Sequence, residues 1–209
     1  MGIVVTTGPQ KPPLSGAEQR KRRRQARVLI EGGIIIVVLC FGLLLRVLAF
    51  EGVLVTSGSM EPVLTRGDYT LVDHRVAIRG SWDRGDVIVF DSPEEWQGPE
   101  ATLVKRVIGL PGEKVSILGG RVLINDQPLS EPYLKELPEP EDMQPVLLGR
   151  DQYFAMGDNR NNSDDSRNNG PVDGKYIRGR ILSRLWPRSR FGSLIKPDYS
   201  GAARPGLVQ

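Results

Sequence analysis

The run "VLIEGGIIIVVLCFGLLLRVLAF", Val28 to Phe50, constrains this chain more than any other stretch. Gly32 to Leu45 carries no charge, and with both ends included the segment reaches the roughly 20 residues needed to cross a bilayer. Glu31 and Arg46 then fall near the interfaces, where the long arginine stem can snorkel outward. A buried core helix is the soluble alternative, but isoleucine and leucine on every face favour lipid. Just before the run stands "RKRRRQAR", Arg20 to Arg27, with six of the 28 Lys and Arg residues. Such a run can bind nucleic acid or flank a membrane segment, and the apolar residues directly after it select the second. The exit, "VLAFEGVLV", lacks small residues at an A-x-A spacing, so the segment reads as an uncleaved anchor. The positive-inside rule places Arg20 to Arg27 in the cytoplasm and the remainder on the far side. The expected organisation is a basic, mostly disordered cytoplasmic tail over 1–27, a transmembrane anchor over 28–50 and an extracytoplasmic β-rich domain over 51–209.

After Phe50 the pattern changes to short apolar runs broken by Gly, Pro and Asp. "GVLVT", "DYTLVD", "DVIVF", "TLVKRVIGL", "KVSIL", "RVLIN", "QYFAM" and "GRILSRLW" read as strands. "SILGGRVLIN" is the clearest hairpin, since Gly-Gly tolerates the positive φ of a tight turn. No amphipathic helix is evident after the anchor, and "ELPEPEDMQP", 136–145, reads as a proline-rich loop between strands. The fold class is therefore all-β behind a single N-terminal transmembrane helix. Trp82 and Trp96 lie in loop-like stretches and are equally compatible with the bilayer surface or the core; Trp186 is expected to pack.

The chemistry is limited by what is scarce. The single cysteine, Cys40, lies inside the apolar run, and the single histidine is His74. These counts remove internal disulfides, the commonest catalytic bases and most His/Cys metal sites. A serine in "SGSMEP", 57–62, is either a turn residue or a nucleophile, and a nucleophile needs a base. Asp73 precedes His74, but adjacent strand residues point to opposite faces, which speaks against a relay. Lys105 is the better candidate. In "TLVKRVIGL" one face carries Leu103, Lys105 and Val107, and the other Val104, Arg106 and Ile108. Two charges in a strand otherwise apolar on both sides require pairing or a function, because unpaired buried charge is costly. A free lysine titrates near pH 10.4. An apolar wall lowering that by roughly 2 to 3 leaves an appreciable neutral fraction, at about 3 to 4 kcal/mol. The simpler alternative is a lysine whose stem packs while its ammonium reaches water.

A third stretch, "MGDNRNNSDDSRNNG", 156–170, is dense in Asp, Asn, Ser and Gly. A calcium loop of EF-hand type fails: counted from Asp158, the third position is Arg160, the sixth is Ser163 rather than Gly, and the closing Glu is missing. Asn161 with Ser163 forms a formal glycosylation acceptor. By composition alone the stretch is a hydrogen-bonded polar loop.

Taken in order, the anchor, "SGSMEPVLTRGD", "RGDVIVF", "VKRVIGLPGE" and "GDNRNNSDDSR" resemble the type I signal peptidase family, membrane-anchored Ser/Lys endopeptidases, from about Val28 to Arg190. The resemblance implies Ser59 as nucleophile and Lys105 as general base, with the Ser57 hydroxyl and the Ser59 N–H forming the oxyanion hole. It further implies that Ser163 orients Lys105, that Asp165 pairs with Arg167 and Asp158 with Arg106, and that Met60 lines the substrate site. No metal or cofactor is implied. The implied substrates are presecretory proteins with small residues at −1 and −3. The implied setting is a monomer in a lipid bilayer, without nucleic acid, in a bacterial cytoplasmic membrane or a thylakoid membrane. Val63 departs from the family, which usually has Thr or Ser after "SMxP". The span between Lys105 and Asp158 is short beside members carrying a large extra β domain. Two other classes share parts of this pattern, a self-cleaving Ser/Lys regulator of the SOS-repressor type and a non-catalytic tethered β module. The anchor argues against the first, and the joint presence of Ser59, Lys105 and Ser163 against the second.

Overall fold

Helix-forming residues extend well upstream of the apolar run: between Ala17 and Glu31 there is neither Gly nor Pro, and Ala, Glu, Gln, Lys and Arg dominate. In the computed structural model, which describes residues 16–96, 101–194 and 196–199, a single helix α1 spans Gly16–Leu48. The basic run is thus the first part of the helix, where a mostly disordered tail to residue 27 was expected. Residues 1–15 of that tail, and the Arg46 side chain, lie outside the described residues. The window Arg27–Leu44 is apolar and has no residue buried by protein. By length and composition this window is apolar enough to cross a membrane. The chain divides into two units, one ending at Val47 and one beginning at Leu48.

The second unit is built on strands β1 (Phe50–Leu54), β2 (Tyr69–Asp73), β3 (Val87–Asp91), β4 (Thr102–Gly109), β5 (Lys114–Leu118), β6 (Arg121–Ile124), β7 (Gln127–Pro128), β8 (Met143–Leu147), β9 (Gln152–Met156), β10 (Val172–Asp173), β11 (Ile177–Trp186) and β12 (Gly192–Ser193). The larger sheet runs β1-β2-β11-β3-β4-β9-β10, with β12 beside β11; the smaller runs β7-β6-β5-β8. Their pairings are antiparallel. The last long strand, β11, therefore lies between β2 and β3 and joins the β1–β2 hairpin to β3 and β4. Two short helices, α2 (Arg75–Arg79) and α3 (Ser166–Asn169), fill connections.

All eight expected strands form. The proline-rich stretch 136–145 is not loop throughout, because its last residues begin β8. Pro145 is tolerated there because β8 is an edge strand and needs no ladder donor on its outer side.

The core has three clusters. The first contains Trp82, Trp96, Ile88, Phe90 and Val107, with the Phe90 and Trp96 rings edge-to-face at 5.5 Å. Both tryptophans are therefore core residues. The second lies between the sheets around Ile108, Val115 and Phe154. The third holds Val55, Met60, Leu64, Val72 and Val89 under the β1–β2 connection. Trp186, expected to pack, is 58% exposed. It pairs with Tyr69 at the end of β11, just after a register shift between Arg184 and Trp186.

Candidate active site

The β1–β2 connection carries "SGSMEP" and is pinned from below by its own apolar residues, Met60 at 1% and Leu64 at 0% exposure. It leaves β1 through Val55, whose N–H donates to the Asp68 carbonyl, and it turns on Glu61 N–H to Gly58 O and Leu64 N–H to Met60 O. Asp68 caps the return, accepting from the Thr65 N–H at 2.9 Å. Ser57 and Ser59 sit on the half-buried rim of this loop, with their hydroxyl oxygens 3.4 Å apart.

Lys105 reaches the same point from β4. Its ammonium nitrogen is 2.9 Å from Ser59 Oγ, and the residue is only 3% exposed. The next residue, Arg106, is 0% exposed and faces away. Both charges in the strand are thus buried, and each has a partner. Arg106 meets Asp158 in a two-pronged ion pair, Nε to Oδ1 and Nη2 to Oδ2, both 2.7 Å. Its Nη1 donates to the Gly85 carbonyl, and the guanidinium lies 4.2 Å from the Tyr133 ring centroid. Burial opposes the Arg106 charge, but the hydrogen bonds and charge of Asp158 outweigh it and hold the guanidinium above its usual range. Burial also pushes the Asp158 carboxyl up, against the pull of Arg106 and Arg160. The guanidinium cannot shed its proton, so the two remain an ion pair. Burial keeps the Tyr133 phenol neutral by pushing its pKa up.

The polar stretch after β9 locks around Asp165. Its carboxylate accepts from Ser163 Oγ (2.8 Å), the Gly157 N–H (2.9 Å) and Arg167 Nε (2.9 Å). Arg167 also donates to the Arg160 and Ser163 carbonyls. The expected pairs Asp165–Arg167 and Asp158–Arg106 are therefore both present. The Ser163 proton is committed to Asp165. Met60 packs into the third core cluster beneath the loop. Among the described residues no cluster of His, Cys, Asp or Glu could hold a metal ion. His74 bonds Glu51 and the Arg178 carbonyl, while Asp73 bonds Arg75, so the two do not form a relay.

Several contributors were not singled out in the sequence. Arg160 is buried and paired with Glu131, which also accepts from the Tyr133 hydroxyl. Arg190 donates to the Pro62 and Val63 carbonyls just past the Ser59 turn, and Arg184 also bonds the Val63 carbonyl. Arginines in a C-terminal stretch carry no local sign that they reach more than 100 residues back. Gly157 is the third case. A Cβ there would overlap Ser163 Oγ and come 2.5 Å from the Ser59 carbonyl oxygen. Gly157→Ala is expected to push the Ser59 and Ser163 segments apart, at about 1–3 kcal/mol of stability. Thermal melting of the purified variant measures the loss.

A cavity of about 430 Å³ adjoins the loop, lined by Glu61, Pro62, Lys135, Asn159, Arg160 and Arg190 among others. Ser59 and Lys105 are not in its lining, so the alcohol–amine pair lies outside it. β9 pairs with β4 only from Arg106 onward.

Comparison with known proteins gives a consistent result. The family described as "Signal peptidase, peptidase S26" matches residues 27–186. A signal peptidase I of Leptolyngbya laminosa is 39% identical over 198 residues, covering 90% of this chain and 94% of that protein. A signal peptidase I of Bacillus licheniformis is 39% identical over 174 residues, covering 78% of this chain and 90% of that protein. A solved signal peptidase I from Enterococcus faecalis is 34% identical and covers 48% of this chain and 96% of its own, with a TM-score of 0.40.

Proposed function

The chain belongs to the signal peptidase family, peptidase S26, and from that premise we propose that it removes signal peptides from presecretory proteins by Ser/Lys acyl-enzyme catalysis. The observation that carries the reading is the 2.9 Å contact between Lys105 Nζ and Ser59 Oγ, made by a lysine 3% exposed to water. Burial disfavours the ammonium form, and a neutral amine at hydrogen-bond distance is the base a serine needs. Ser163 fits a positioning role: with its proton given to Asp165, its oxygen is left as an acceptor for the Lys105 amine.

In this mechanism neutral Lys105 takes the Ser59 proton as Ser59 Oγ bonds to the scissile carbonyl carbon. The carbonyl oxygen becomes an oxyanion held by the Ser57 hydroxyl and the Ser59 N–H. Collapse breaks the C–N bond, and Lys105 returns its proton to the leaving amine. Water, deprotonated by the same lysine, then attacks the acyl carbon; the ester C–O bond breaks, and Lys105 passes the proton to Ser59 Oγ. One residue performs both acid and base work. The stretch of β4 before Arg106, which β9 does not pair, is where an extended substrate would add as a strand, the usual way main-chain hydrogen bonds supply affinity.

Membrane anchoring through α1 fits the substrate, which is itself a membrane-delivered chain. The basic run supports a cytoplasmic N-terminus, with the β unit on the side where translocated signal peptides present their cleavage sites. The protein in detergent, given a preprotein with Ala at −1 and −3, is expected to release a single mature N-terminus. Replacing the −1 Ala by Phe should abolish the cut, as read by mass spectrometry of the products. Equal cleavage of both substrates would remove the small-residue specificity, and no cleavage of either would remove the peptidase reading.

A further inference from the structure

Nothing regular holds the loop that carries Ser59, and yet its peptide planes must be fixed if a backbone N–H is to serve an oxyanion. The Gly58–Ser59 peptide is trans, so its C=O and N–H point in opposite directions. Whatever grips the Gly58 carbonyl therefore aims the Ser59 N–H. Two donors grip it, the Glu61 N–H within the turn at 3.2 Å and, from the facing segment, Asn159 Nδ2 at 3.0 Å. The backbone N–H of the same residue donates to Ser59 O at 2.9 Å. One asparagine thus holds the carbonyls on both sides of the Ser59 Cα.

Asn159 is itself immobilised by its neighbours. Asp158 is clamped by Arg106, and Arg160 is clamped by Glu131 and bonds the Gly157 carbonyl through Nε at 3.1 Å. The asparagine is half-buried between two buried residues and makes its bonds from a segment that cannot slide.

We propose that Asn159 is a positioning residue that sets the direction of the Ser59 N–H, and so the geometry of the oxyanion hole. The inference rests on the reading of Ser59 as nucleophile. Asn159→Ala removes the side-chain donor and keeps the backbone one. Asn159→Asp keeps the shape and places an acceptor against the Gly58 carbonyl. Both are expected to lower kcat about 100-fold, toward the cost of one oxyanion donor, with KM for a peptide substrate within about twofold because ground-state binding is untouched.

The separating measurement is inhibition by a peptide aldehyde ending in Ala, whose carbonyl carbon bonds Ser59 Oγ to give a tetrahedral hemiacetal. Its Ki should rise by the same factor as kcat/KM falls. A residue that only supports the fold would lower the melting temperature and the fraction of active protein, and the remaining active molecules would keep the parental Ki. If Asn159→Ala does not fold, Asn159→Asp decides alone. Parental kcat in the folded variants, or an unchanged Ki, overturns the proposal. Ser59→Ala, assayed alongside, separates the two readings. An inert Ser59→Ala with active Asn159 variants sinks only the clamp, and a fully active Ser59→Ala sinks the nucleophile assignment with it.

Discussion

Lys105→Met and Ser59→Ala should each reduce kcat/KM by at least about 10⁴-fold, and the double variant should be no worse than either single one. The expectation comes from the 2.9 Å contact. If the alcohol and the amine act as a unit, removing one leaves the other without a task, and the losses do not add. Methionine is the informative replacement because it keeps the volume and fills the same buried channel without a base. Lys105→Arg should be equally inert, since a guanidinium stays protonated and cannot accept the serine proton. Cleavage of a quenched fluorescent peptide by the parent and these variants tests all of this. A Lys105→Met variant that cuts at the parental rate would falsify the dyad.

The second large effect concerns stability. Asp158→Ala removes the two-pronged carboxylate partner of Arg106, a residue at 0% exposure. Breaking one side of a fully buried ion pair costs about 3–5 kcal/mol, because the remaining charge stays in a medium that cannot solvate it. Most single substitutions cost far less. The compensating double variant, Arg106→Met with Asp158→Leu, should recover most of that loss, since apolar residues of similar volume carry no desolvation penalty. Urea denaturation in detergent, monitored by tryptophan fluorescence, reports the difference; Trp82 and Trp96 are buried and change environment on unfolding. Activity should separate from stability here. The double variant is expected to be folded but slow, because Arg106 holds β4 one residue from Lys105.

Several features of this architecture were readable from the chain alone, each for a physical reason. Short apolar runs between Gly, Pro and Asp marked eight strands because each is at least four residues long, with β3 and β9 buried on both faces. Strands β7, β10 and β12 escaped because two residues contain no period. Pro145 hid the start of β8, since proline is a loop signal unless the strand is at an edge. Lys105 and Arg106 stood out because adjacent charges in an apolar strand demand separate explanations, and the structure supplies separate partners. Trp186 misled because tryptophan is usually core, whereas this one lies exposed at the end of β11, just after a register shift. What no local pattern encodes is reach. That Asn159 would hold the carbonyls of Gly58 and Ser59, or that Arg190 would hold those of Pro62 and Val63, depends on pairings across 100 residues or more.

The place of β11 in the larger sheet has a consequence in time. Because the strand starting at Ile177 is inserted between β2 and β3, a chain still being made, and ended anywhere before it, lacks the rung that ties the serine hairpin to the lysine strand. On the Ser/Lys reading proposed above, the alcohol and the amine are expected to come face to face only once β11 has joined the sheet.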